Sequence, residues 1–71
     1  MDDDQMQAPQ LAALRKWIHD LNNHVGVILL TAELLQLDQL PPKASERGKA
    51  IEDSALEARG ILQAMSAHYF D

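Results

Sequence analysis

Residues 11–35 read LAALRKWIHDLNNHVGVILLTAELL, and the spacing of their apolar members decides the fold. Leu11, Leu14, Ile18, Leu21, Val25, Ile28, Ala32 and Leu35 alternate steps of three and four. At 3.6 residues per turn such steps stay on one face, so the stretch predicts a long amphipathic helix with a heptad seam. Downstream, Pro41-Pro42 stops it, because proline cannot continue a helix and disfavours helical geometry in the residue before it. Upstream, Pro9 suits a first helical turn, where its missing N–H is not needed. The expected first helix runs from about Pro9 to about Asp38, after an acidic tail over residues 1–8. A short turn follows, and a second helix runs from about Pro42 to about Phe70.

The second helix carries a matching row: Ala44, Gly48, Ile51, Ala55, Ala58, Leu62, Met65 and Tyr69. Its small residues let two backbones approach closely, and paired heptad seams predict an all-α, antiparallel two-helix hairpin. From Val27 onward the first helix gains another apolar row, Val27, Leu30, Leu34 and Leu37, on a different side. One hairpin covers one stripe only. A chain of 71 residues without cysteine also lacks the usual covalent staples of small domains. Both arguments predict a homodimer in which two hairpins form a four-helix bundle.

Composition narrows the function classes. With 11 acidic against 6 basic residues and a net charge of −5, the chain shows no Lys/Arg patch for nucleic acid and no attraction to anionic lipid. Its longest apolar run, VGVILL at 25–30, is far shorter than a membrane span. The opening MDDDQMQ lacks the charged-then-apolar order of a signal peptide, and Asp2-Asp3-Asp4 suits a solvated tail. A cytoplasmic location is the default expectation. No P-loop, dinucleotide fingerprint or nucleophile–base–acid triad is present.

Chemistry concentrates in HDLNN, residues 19–23. His19 follows the seam residue Ile18 by one position, which turns it well away from the seam and toward solvent. Arg15 and Asn23, four residues to either side, share its face. Gly26, one turn beyond Asn23, leaves room for a close approach to the backbone. Asp20 is rotated by one step and lies near enough to orient the imidazole. Neutral imidazole is a good nucleophile, and a carboxylate on one ring nitrogen leaves the other to attack. These are parts for phosphoryl transfer through histidine, although an exposed histidine on a polar helical face is also commonplace. Asp20 and His24, spaced i,i+4, are too few for a zinc site. His68 suits the C-terminal end of a helix dipole, while Trp17, Met65 and Tyr69 read as packing residues.

The segment HDLNNHVGVILLTAELL resembles the H-box of the dimerisation and histidine-phosphotransfer domain of bacterial two-component sensor kinases. That box has a histidine, an acid, an apolar residue and an Asn or Thr four after the histidine, then an aliphatic tail often including A-E-L-L. Here the tail is matched by Ala32-Glu33-Leu34-Leu35, and the resemblance extends from about Leu11 to Phe70. It implies that His19 is the phosphoacceptor, that Asp20 orients the imidazole and acts as base, and that Asn23 assists dephosphorylation of the partner. It further implies that a response-regulator receiver docks beyond the histidine on Asn22, Gly26, Val27 and Leu30, with Arg15 beside them. The Mg²⁺ used in transfer belongs to the receiver, so no cofactor of the chain's own is expected. His24 stands where many members have proline, which predicts a straighter helix.

No Gly-rich nucleotide lid follows, so kinase activity of the chain's own is not expected. The resemblance points to a stand-alone phosphotransfer protein that relays a phosphoryl group via His19 to or from a response-regulator aspartate. A sensor histidine kinase is a further possible partner. The alternative is a docking module that binds and regulates a receiver or kinase without being phosphorylated, or a dimerisation fragment of a longer kinase.

Overall fold

The computed structural model describes residues 7–70, which form two helices, α1 (Ala8–Gln36) and α2 (Pro42–Phe70), packed against each other. Helix α1 begins within a residue of the expected position, with Pro9 in its first turn. The Gln10 side-chain oxygen accepts from the Gln7 backbone N–H at 2.9 Å, satisfying one donor at the helix entrance. Of the expected tail over residues 1–8, residues 1–6 lie outside the described residues, and Ala8 already belongs to the helix.

Helix α1 ends at Gln36, two residues before the expected Asp38. The Leu37 and Asp38 N–H groups fold back onto the carbonyls of Leu34 and Leu35 at 3.0 and 3.1 Å. Gln39 then takes a positive φ of 51° and reverses the chain. Helix α2 starts at Pro42, and Pro41 O accepts its first helical bond from Ser45 N at 2.9 Å. The hairpin is tied across the turn by a reciprocal pair. Gln36 Nε2 donates to Ser45 O at 3.1 Å, and Ser45 Oγ donates to Gln36 Oε1 at 3.0 Å. Gly48 is buried under this pair, and a Cβ there would collide with the Gln36 amide.

The contact between the helices is narrower than the heptad seam. Ile18, Val25, Leu29 and Ala32 of α1 and Gly48, Ala55 and Leu62 of α2 are buried, with Leu14, Ala58, Met65 and Phe70 packed partly against them. The buried row in α1 therefore runs 18, 25, 29 and 32, with the half-buried Gln36 continuing it. Leu29 lay outside the expected seam and is buried. Leu21, Ile28 and Leu35 lay inside it and are exposed, as is Ile51 of α2. At about 100° per residue the three leucine and isoleucine positions of α1 sit roughly 55–95° to one side of the contact line. Trp17, expected to pack, is 60% exposed on that same side.

This divides the hairpin into two flanks and a back. One flank carries Trp17, Leu21, Ile28 and Leu35 of α1 beside Ile51, Ala58 and Ile61 of α2. A shallow apolar groove of about 380 Å³ is lined there by Ile28, Ile51, Ser54 and Ala58. The other flank carries Arg15, His19, Asn22 and Gly26 of α1 and Gln63 and Ser66 of α2. The row Val27, Leu30, Leu34 and Leu37 lies on the back of α1, turned away from α2 and exposed throughout. Among the described residues, eleven large apolar side chains are exposed against six buried hydrophobic ones, and no large side chain is fully enclosed.

Candidate functional site

His19 projects from the polar flank in the middle of α1, and its exposure follows from the register. Ile18 is fixed in the inter-helix contact, so the next residue is rotated by about 100° out of it. The imidazole rims a groove of about 350 Å³ between the helices. Its near wall is Arg15, Ile18 and Asn22, and its far wall is Leu62, Gln63, Ser66 and Phe70 of α2.

Asn23, one turn ahead, brings Nδ2 to 3.3 Å from His19 Nε2. The amide nitrogen donates to Nε2 when the ring proton sits on Nδ1, and the amide oxygen accepts from Nε2–H in the other tautomer. The amide lies over the distal ring nitrogen, and one rotamer change of Asn23 uncovers it. Asp20, expected to orient the imidazole, has its hydrogen bond with Lys16. Its Oδ2 accepts from Lys16 Nζ at 2.7 Å, an i,i+4 pair on the open surface. The Lys16 ammonium hydrogen bond holds the Asp20 carboxyl below its ordinary value, with smaller contributions from the charges of Lys16, His19 and His24. Asp20 therefore stays ionised beside the imidazole, while its hydrogen bond goes to Lys16.

Arg15 stands one turn before His19 with its guanidinium 4.5 Å from the Phe70 ring centroid, a cation–π contact that bridges α1 to the last turn of α2. Asn22 lies on the groove wall. A Cβ added to Gly26 would meet nothing within 4 Å, so the backbone there is open to an approaching molecule. Val27 and Leu30 lie further round on the exposed back. The eight residues singled out by sequence thus share one half of the α1 surface, with His19, Arg15 and Asn22 on one groove.

Sequence reasoning missed two features. Lys16 was not considered as the partner of Asp20, although the i,i+4 spacing of unlike charges signals it. The far wall, Gln63, Ser66 and Phe70, depends on the relative register of two helices and has no local signature. No protein-family model, curated protein or solved structure matches the chain. Among the described residues, no helix is long and apolar enough to cross a membrane.

Proposed function

We propose that this chain is a histidine phosphotransfer domain acting as a homodimeric four-helix bundle, with His19 carrying a phosphoryl group to or from a response-regulator aspartate. The observation that carries this reading is an exposed imidazole, on a groove between two helices, whose Nε2 lies 3.3 Å from the amide nitrogen of Asn23. The likeness of HDLNN and its aliphatic tail to the H-box supplies the reaction. A receiver bound over Asn22, Gly26, Val27 and Leu30 places its phosphoaspartate against the ring and brings its own Mg²⁺.

In the transfer, Nε2 attacks phosphorus in line, the N–P bond forms, and the P–O bond to the aspartyl carboxylate breaks. The carboxylate leaves with the electron pair, and Nδ1 keeps its proton on the resulting imidazolium. The chain supplies position rather than metal or nucleotide chemistry. The phosphoryl group on His19 comes from outside these two helices.

The apolar flank supports the dimer. Trp17, Leu21, Ile28, Leu35, Ile51 and Ile61 are large apolar side chains that a lone hairpin leaves exposed, and exposed apolar surface of this kind calls for a partner. Pairing two such faces about a two-fold axis closes a bundle and leaves both polar flanks outside. This replaces the back row Val27, Leu30, Leu34 and Leu37 as the dimer face and frees that row for a docking partner.

The test is transfer from a panel of phosphorylated receivers to the chain, followed as acid-labile, base-stable phosphate. Label on the wild type that disappears in His19→Gln supports the reading. Label that survives in H19Q removes His19 as acceptor. Tight receiver binding without label favours the regulatory docking module instead.

A further inference from the structure

The groove beside His19 holds an arginine whose placement the transfer step alone leaves unused. Arg15 lines the same wall as His19 and is fixed from across the hairpin by the Phe70 ring. Arg15 and His19 stand one turn apart on α1 and line the same groove. Its neighbour Lys16 is engaged by Asp20 at 2.7 Å, but among the described residues Arg15 joins no ion pair. The far wall carries Gln63 and Ser66, whose amide and hydroxyl are both able to donate. In a chain of net charge −5, this groove is a local reversal of sign furnished with donors.

We infer that Arg15, steadied against Phe70, binds the oxygens of the phosphoryl group as it arrives at or leaves His19. The inference rests on the phosphotransfer reading and names the group that carries the anion through the step. Phosphoryl transfer passes through a loose state with negative charge spread over three oxygens that form no new bond. A planar, permanently charged fork one turn from the nucleophile matches those oxygens, whereas an ammonium offers only a point charge. The stacking on Phe70 fixes the fork beforehand, so less freedom is lost when the anion binds.

Phosphoramidate, a small donor that phosphorylates histidine with release of ammonia, tests this without a receiver. Initial rates of N–P formation are followed by ³¹P NMR on the whole chain for wild type, Arg15→Ala, Arg15→Lys and Phe70→Leu, with sulfate added as a competing anion. The expected result is a loss of roughly tenfold or more in R15A, in line with removal of one charge-stabilising donor. R15K and F70L fall between, and the inhibition by sulfate seen in the wild type is lost in R15A. A wild-type rate with unchanged sulfate inhibition in R15A overturns the arginine clamp and leaves phosphotransfer standing. An unlabelled wild-type His19 overturns both. If R15A loses its helical circular dichroism, Arg15→Gln decides the case by the same two readouts.

Discussion

At the scale of single residues, the site turns on which neighbour each polar side chain has taken. Asn23 has taken the distal nitrogen of His19, and Lys16 has taken Asp20. The first contact suits the Nδ1–H tautomer. Imidazole ¹⁵N shifts should show the Nδ1–H form of His19 enriched in the neutral ring, and Asn23→Ala should move the population toward Nε2–H. Unchanged shifts in N23A would remove the amide from that role. The second contact fixes a charge. Because Lys16 lowers the Asp20 carboxyl, the pair adds stability above the ordinary aspartate value of ~3.9 and loses it as pH falls through the folded-state value below that. Lys16→Ala should therefore return the Asp20 carboxyl upward in a ¹³C titration. The stability difference between K16A and wild type should vanish in acid. The exposure of His19 was legible from its place one residue after Ile18, and its proximity to Asn23 from the i,i+4 spacing. The choice of Asp20 between imidazole and ammonium was not, because both lie within reach and only rotamers decide.

The two helices are delimited by local chemistry that can be tested one position at a time. Gln39 holds a left-handed φ of 51°, a conformation costing a residue with a Cβ about 1–2 kcal/mol. Gln39→Gly should raise the unfolding free energy by about 1 kcal/mol in denaturant titrations, and a loss would show that the Gln39 side chain matters more than its backbone. Gly48 poses the opposite case. Alanine there gains about 1 kcal/mol of helix propensity but displaces the Gln36 amide from two hydrogen bonds worth about 0.5–1.5 kcal/mol each. Gly48→Ala should be neutral or destabilising alone and stabilising in a Gln36→Ala background, a coupling of about 1–2 kcal/mol in a double-mutant cycle. Additive effects would contradict the steric account. The proline pair announced the break between helices, and α2 falls where the spacing placed it. The early end of α1 was hidden, because a glutamine in a left-handed turn carries none of the signal that glycine would.

For the whole molecule, the asymmetry between flanks organises everything else. A three-four alternation locates a face to within about a quarter of the helix circumference, and two neighbours can share a face that wide. The hairpin contact took Ile18, Val25 and Ala32 from the expected seam, added Leu29, and left Leu21, Ile28 and Leu35 for another partner. Sequence periodicity could not make that division, since it depends on the relative rotation of the two helices. In the proposed dimer, each large apolar side chain on this flank contributes about 1.5–3 kcal/mol by leaving water. Ile28→Asp together with Leu21→Asp should abolish the dimer in sedimentation equilibrium and lower helicity, whereas Leu34→Asp on the back of α1 should leave the mass unchanged. A wild type that sediments as a well-folded monomer contradicts the pairing.

The account stands most directly on where phosphate settles among the three histidines. After transfer from a phosphorylated receiver, electron-transfer fragmentation of the intact chain at alkaline pH localises it residue by residue. Phosphate on His19 alone is the predicted result, since that imidazole faces the Arg15 groove with its Nε2 lone pair exposed once Asn23 turns aside. Phosphate on His24 or His68 in place of His19 would contradict it.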